Sequence, residues 1–467
     1  MGTRMAIGLK FWGAAGGVTG SHHLLDTPNA RLGVDAGLFQ GFGEMEQMNR
    51  RGFGHDPRDM DALLLTHAHI DHSGRVPLLA KTGFRNPVFC TSATMDLADL
   101  MLHDSARLME EDAEAQGRFP GRSDGRGLLE PLFSENDVEL ALKLFRPVEY
   151  GRAFTPGADI STTFRDAGHI LGSAMVEIDV FGKRIVFSGD LGRPGSPLVR
   201  DPETIAEADW LVLESTYGDR EHADKADRGA RLFSIVKETI DRGGNVVIPA
   251  FTVGRTQDLL YELNPYAESG RLPRISTFVD SPMAISAGEI YRRHPECFDD
   301  EARAHLARGD DPLGFPGLVL TRTRDQSKRI NSTREPHIII AGNGMCTGGR
   351  VQHHLAQNLG REESTVLFVG YQAEGTLGRK LRDGARTVDM FGKSFDVRAH
   401  IESLDAYSAH ADRSEILGWL GGFGKFPQKV FLVHGEPAAS ASLAASISRQ
   451  FGAETVIPRP QERFELA

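Results

Sequence analysis

Thr66-His67-Ala68-His69-Ile70-Asp71-His72 follows directly on the apolar run DALLL, which reads as a strand running into the loop. Imidazoles at i and i+2 on such a loop can face one cation, while Asp71 and His72 turn toward a neighbouring position. Nitrogen and carboxylate donors without thiolate suit Zn²⁺ in an open, hydrolytic site. For any single histidine a satisfied polar loop is the better reading; for the cluster it is not. Two more candidates stand at the ends of predicted strands, His169 in DAGHILGSA and Asp190 in VFSGDLG. Each alone reads as a turn or cap residue. Behind HxHxDH they complete a binuclear site, in which Asp190 bridges ions about 3.5 to 4 Å apart. Asp35 in RLGVDAGLFQG also ends a strand and can orient a ligating histidine.

The elements that must position these residues alternate along the chain. From residue 5 to about 212, short apolar runs (MAIGLKFW, SAMVEIDVFG, RIVFSGD) alternate with turns and with helical stretches at 92 to 115 and 134 to 145, an α/β pattern. The second stretch opens on Ser134 with Asp137 three residues on, a capping-box-like start. The Gly/Arg-rich 117 to 127 reads as an exposed loop. From about 213 to 404 the strand candidates become continuous β-branched runs (NVVIPAF, ISTFVD, PHIIIAG, TVLFVG), which suits a mostly parallel sheet covered on both faces. The last 60 residues return to the earlier style. No fixed-period repeat or low-complexity segment is visible.

The length of 467 residues suggests two or three domains at about 150 residues each. Three cysteines, Cys90, Cys297 and Cys346, lie far apart without a CxxC pair, which fits a reducing compartment rather than a disulfide framework. No apolar run approaches the roughly 18 residues of a membrane span. At the N-terminus Lys10 interrupts the only short apolar stretch, and Ala6 stands where a myristoylation motif wants Ser or Thr. A cytoplasmic protein without membrane partners is expected. The formal charge of −11 excludes a protein that coats nucleic acid nonspecifically. It does not exclude an enzyme whose divalent ions reverse the sign locally.

Asp35, HAHIDH, His169 and Asp190 resemble the successive motifs of the metallo-β-lactamase fold, an αββα sandwich that binds two metals along one edge. Many unrelated hydrolases share these motifs, so they do not choose a substrate. Glu214 in LVLESTYGD, His410 in YSAHAD and His434 in FLVHGEP are similar to the three additional motifs of the β-CASP nucleases. In those enzymes a second α/β domain, the β-CASP domain, is inserted into the sandwich. The resemblance covers nearly the whole chain, including PAFTVGRTQ, DSPMA, AGNGMCTGGR and VGYQ. It looks closest to bacterial and archaeal relatives of the eukaryotic pre-mRNA 3′-end cleavage subunit.

The resemblance implies a first part of the sandwich over 1–212, the inserted domain over 213–404 and the remainder of the sandwich over 405–467. It implies two Zn²⁺, one held by His67, His69, His169 and Asp190, the other by Asp71, His72, Asp190 and His434. The catalytic set would be Asp71, Asp190, Glu214 and His410, with His410 oriented by Glu214 as proton donor to the leaving oxygen. A histidine at the last motif accompanies RNA cleavage in this family, whereas DNA-processing members carry valine there. The expected activity is therefore zinc-dependent hydrolysis of single-stranded RNA, endonucleolytic, leaving 5′ phosphate and 3′ hydroxyl ends. A 5′ exonuclease of the same fold is the near alternative.

The loop 341–349 runs from the strand HIIIAG to a helix beginning near Arg350. Its bare Gly342, Gly344 and Gly348 amides can bind RNA phosphate, while it fails as a dinucleotide fingerprint and as a Walker A loop. Ser281 in DSPMA and Arg255 in FTVGRTQ are further candidate backbone contacts. The basic stretch Arg322, Arg324, Lys328, Arg329 and Arg334 reads equally as a steering patch or a solvated surface. Two other function classes compete. A small-molecule hydrolase of this fold needs only the sandwich, and leaves the residues between Asp190 and His434 without a purpose. A noncatalytic RNA-binding scaffold needs no ligand set at all. Homo-oligomerisation is expected on general frequency alone.

Overall fold

The structure, a computed structural model, describes residues 6–41, 44–118, 130–222 and 227–466. The loop expected at 117 to 127 lies outside the described residues from 119 onward. The chain divides into two compact units, one comprising Met1–Pro194, Asp201–Glu221 and His410–Ala467, the other Gly195–Arg200 and His222–Ala409.

In the first unit, short strands with one apolar face assemble two seven-stranded sheets. Strand Ile160–Asp166 shows the principle: Ile160, Thr162, Phe164 and Asp166 are buried, and the residues between them are part-exposed. One sheet runs in spatial order Arg463–Leu466, Ile7–Gly13, His22–Asp26, Arg31–Val34, Ala62–Leu64, Val88–Cys90, Phe145–Pro147. The other runs Glu454–Val456, Lys429–Val433, Trp210–Glu214, Lys183–Phe187, Ala174–Val180, Ile160–Asp166, Phe154–Gly157. Leu9, Phe11 and Val34 of the first interlock with Phe164, Phe187 and Phe431 of the second, with the Phe11 and Phe431 rings 5.2 Å apart.

Helices Arg413–Leu420 and Pro437–Phe451 cover the far face of the second sheet through Ile416, Trp419, Leu443 and Ile447. Helices Val76–Lys81, Ser92–Arg118 and Glu135–Leu142 connect parallel strands of the first sheet and pack on one another. With one sheet face already occupied, these crossovers have only the outer face to cover, which gives helix, sheet, sheet, helix layers. The capping box is present: Ser134 Oγ accepts from the Asp137 amide, and Asp137 accepts from the Ser134 amide.

The second sheet places the chemistry. Strands Lys183–Phe187, Trp210–Glu214 and Lys429–Val433 are adjacent and parallel. Their carboxyl ends therefore stand side by side, and Asp190, Glu214 and His434 leave from one edge.

The second unit is built on a six-stranded, wholly parallel sheet in the order Leu318–Leu320, Thr277–Val279, Ile338–Ala341, Val246–Pro249, Thr365–Phe368, His400–Ser403, with a separate antiparallel pair, Thr387–Met390 and Lys393–Asp396. Its inner runs VVIP, TFV, IIIA and TVLF are buried at every position, as a sheet with both faces covered requires. Among the described residues no helix is long and apolar enough to cross a membrane.

Asp280, at the carboxyl end of strand Thr277–Val279, ties this unit's edge together. It is fully buried and accepts from Thr321 (2.6 Å), Ser327 (2.5 Å), Arg350 (2.6 Å) and His354 (2.7 Å). Burial alone would raise its pKa, but the hydrogen bonds from His354, Ser327, Thr321 and Arg350 outweigh it and hold the carboxyl well below its usual range. A depressed folded-state pKa gives stability that is full above the unfolded value, about 4, and is lost as pH falls through the folded one. Asp280→Ala leaves the part-buried Arg350 guanidinium without its counter-charge and is expected to cost about 3 kcal/mol in chemical denaturation at pH 7. The difference from the parent should shrink on acidification; a constant difference down to pH 2 would contradict the network.

Candidate metal centre

All nine polar residues of the expected centre lie in the first unit. His67, His69, His169 and Asp190 bring ligand atoms within 4.8 Å of one another, as do Asp71, His72 and His434, and Asp190, Glu214 and His410. Asp190 stands between the groups. Its Oδ2 is 3.4 Å from His67 Nε2 and 3.5 Å from His169 Nε2. Its Oδ1 is 3.2 Å from His72 Nε2 and 3.5 Å from His434 Nδ1. Asp71 Oδ2 is 3.5 Å from His434 Nε2.

These residues fit bound cations on two observations. Asp190 Oδ1 is buried and accepts no well-formed hydrogen bond, a cost of about 1 to 3 kcal/mol for a polar atom left so. Imidazole nitrogens also face imidazole nitrogens: His67 Nε2 and His69 Nδ1, His169 Nε2 and His69 Nδ1, and His72 Nε2 and His434 Nε2 each stand 3.2 Å apart. Nitrogens so placed would all be satisfied by a cation between them. Burial pushes the His69 pKa down to about 4, which keeps the ring in its neutral, ligating form. For Asp190, burial is opposed and outweighed by His434, His72, His67 and His410, which hold the carboxylate ionised.

The supporting residues explain the orientation. Asp35 accepts from the Thr66 amide at 2.8 Å and the Thr66 hydroxyl at 2.9 Å, and its Oδ2 is 2.7 Å from His72 Nδ1. That contact leaves His72 Nε2 to face the site. Asp35 and His434 both adopt positive φ, 59° and 50°, where non-glycine residues are uncommon. Gly37 is required beside them, because a Cβ there would meet the Asp71 carbonyl oxygen at 1.5 Å.

Glu214 is fully buried and accepts from the amides of Leu191 (2.8 Å) and Thr216 (3.2 Å). Its Oε1 is 2.9 Å from His410 Nδ1, and His410 Nε2 points inward, 4.0 Å from Asp190 Oδ2. Burial lowers the His410 pKa, but Glu214 and Asp190 outweigh it and push it up to about 9. Thr66 and Thr216, whose Oγ1 lies 3.1 Å from His434 Nδ1, are not singled out in the sequence. Each lies within two residues of a candidate site residue, Thr66 beside His67 and Thr216 two after Glu214, which is the only signal the chain offers for it.

The other expected residues lie in the second unit. Gly342, Gly344 and Gly348 occupy the loop between strand Ile338–Ala341 and helix Arg350–Asn358, and Ser281 caps helix Pro282–Arg293 by accepting from the Ala284 amide. Arg255, expected at RNA phosphate, is instead only 8% exposed; it donates to Asp258 at 2.9 Å and lies 5.7 Å from the Tyr407 ring. It opens helix Arg255–Glu268, and its stem is drawn into the packing of that helix. Arg322, Arg324, Lys328, Arg329 and Arg334 are exposed, with Arg322 paired to Glu289.

Comparisons with known proteins match three successive stretches of the chain, the last of which crosses the boundary between the two units. The chain matches the metallo-beta-lactamase superfamily over 23–226, the Beta-Casp domain over 256–381 and the Zn-dependent metallo-hydrolase RNA specificity domain over 394–458. It is 39% identical to Ribonuclease TTHA0252 of Thermus thermophilus over 91% of this chain and 92% of that one. It is 30% identical to the transcription termination factor FttA of Methanosarcina mazei, over 92% of this chain and 67% of the relative. A crystal structure of a protein of unknown function from Enterococcus faecalis has the same fold, with a TM-score of 0.57 at 12% identity over 99% of this chain and 100% of that one. With both sheets of the sandwich, the inserted parallel domain and these matches in hand, the chain belongs to the β-CASP family of metallo-β-lactamase-fold metallo-hydrolases.

Proposed function

We propose that this protein is a metal-dependent ribonuclease that hydrolyses phosphodiester bonds of single-stranded RNA endonucleolytically, acting in the cytoplasm with two Zn²⁺. The carrying observation is Asp190, whose two carboxylate oxygens face two separate imidazole groups at 3.2 to 3.5 Å. The name of the Thermus relative supports the substrate. In this reading His67, His69, His169 and Asp190 hold one ion, and Asp71, His72, Asp190 and His434 the other. When bound, the ions supply Lewis acidity that activates water and offsets charge on the attacked phosphate.

The chain's own residues do the rest. Glu214 is locked by the Leu191 and Thr216 amides and holds His410 through Nδ1. That leaves His410 Nε2 directed into the site to deliver a proton to the departing ribose 3′ oxygen, leaving 5′ phosphate and 3′ hydroxyl ends. Asp35 fixes His72, and Thr216 steadies His434. A small-molecule hydrolase would need none of the second unit, and a scaffold would need none of the ligands.

Asp190→Ala or His69→Ala should reduce RNA cleavage to background and lower bound zinc, with circular dichroism unchanged. Undiminished cleavage would sink the metal assignment. Glu214→Gln and His410→Ala should each lower kcat by about 10² to 10⁴ with KM and zinc content near parental. The double variant should be little worse than either single one, because the two residues act as a unit. Chelation should abolish cleavage of end-labelled RNA, added Zn²⁺ should restore it, and matched DNA should resist. Internal product ends support the endonucleolytic mode; mononucleotides released from the 5′ end would replace it with the exonucleolytic one.

A further inference from the structure

Three loops leave the carboxyl edge of the second unit's sheet side by side, and two of them carry large aromatic side chains that are held in place yet open to solvent. Strand Val246–Pro249 lies between Ile338–Ala341 and Thr365–Phe368, paired in parallel with both. Phe251 leaves from the central strand and is 45% exposed; Tyr371 leaves from its neighbour and is 48% exposed. Continuing the register Val247↔Val366 by four residues sets Phe251 level with Gly370, one residue before Tyr371.

The Phe251 ring rests on glycine backbone. A Cβ at Gly344 would lie 3.3 Å from it and one at Gly370 3.8 Å from it. The loops cannot drift, because the Gln372 side-chain amide donates to the carbonyls of Gly344 (3.0 Å) and Gly370 (3.2 Å), and the Phe251 carbonyl accepts from Thr256 Oγ1 at 2.8 Å. A ring supported from beneath and open above is costly in water.

Charge selects the occupant. In a chain of 64 Asp and Glu, the stretches 249–255, 341–350 and 368–373 contain none. The helices starting at Arg255 and Arg350, beside Phe251 and the glycine loop, have glycine at the N-cap and no side-chain cap. Flat apolar rings next to amides without a side-chain cap, on loops whose own residues carry no carboxylate and beside an Asp258 already paired with Arg255, suit a polyanion that carries planar bases better than they suit an apolar peptide.

We propose that Phe251 and Tyr371 form a platform on which bases of single-stranded RNA stack, contributing sequence-tolerant affinity. This rests on the ribonuclease reading and extends it from the reacting phosphate to the bases.

The test uses the full chain carrying Asp190→Asn, so that RNA stays intact, and titrates it by fluorescence anisotropy with a labelled RNA decamer and with the same backbone lacking bases. Stacking on the two rings predicts that intact RNA binds about a hundredfold tighter than the abasic strand. Phe251→Leu and Tyr371→Leu should each weaken binding of intact RNA about tenfold and leave the abasic strand unchanged, and Phe251→Trp should restore it. Equal binding of the two strands, or a loss in the leucine variants that is the same for both, overturns the platform. If the chain with Asp190 restored still cleaves RNA in that case, only the platform falls. If it neither binds nor cleaves RNA, the ribonuclease reading falls with it.

Discussion

The carboxylate of Asp190 is buried among imidazoles with one oxygen toward His67 and His169 and the other toward His72 and His434. A negative charge taken out of water is expensive unless positive charge meets it. The surrounding rings do this only in part, because the nitrogens of His67, His169 and His72 that face its oxygens also face another nitrogen. The arrangement is therefore one that a bound metal would complete, and much of the first unit serves to hold its donors together. Three adjacent parallel strands end together at Asp190, Glu214 and His434, and the loop after Ala62–Leu64 brings the HAHIDH donors from the opposite sheet.

Holding donors this close requires backbone that a relaxed chain would not choose. Asp35 and His434 sit at positive φ, and Gly37 and Gly192 stand where a Cβ would collide with the carbonyl oxygens of Asp71 and Gly168 at 1.5 and 1.8 Å. Such positions persist only where surroundings over-determine them. Asp35 is held by the Thr66 amide and hydroxyl, and His434 donates its amide to the Ala14 carbonyl at 2.7 Å. These unfavourable conformations coincide with the chemistry, and the sandwich core of Phe11, Phe164, Phe187 and Phe431 offsets them.

How far the sequence reveals this depends on whether a residue's role is local. HAHIDH is legible because its donors share one loop. His169 and Asp190 are legible only in company, since a histidine beside glycines and an aspartate after a strand are ordinary turn residues. The inner strands of the second unit are legible as continuous β-branched runs because both faces of that sheet are covered. The surroundings of Arg255 are illegible for the converse reason. Nothing in FTVGRTQ separates an arginine that greets solvent from one that turns back onto Asp258, because that is decided by packing against helix Arg255–Glu268 and Tyr407. Thr66 and Thr216 were missed because a hydroxyl that steadies a histidine has no spacing of its own.

The centre also constrains how the chain folds. Glu214 and His410 are 2.9 Å apart although 195 residues lie between them. Closing a disordered loop of that length costs about 5 kcal/mol on the logarithmic entropy law. A folded insertion whose two ends are near one another removes most of that cost. The first unit fixes the entry and exit of the insertion directly, through the bridge between Tyr217 and Asp412 and the pair of Arg413 with Glu221 at 2.9 Å. His410 and His434 come after the insertion and Asp190 and Glu214 before it, so the centre closes only where the two ends of the insertion meet, and these contacts within the first unit hold them there.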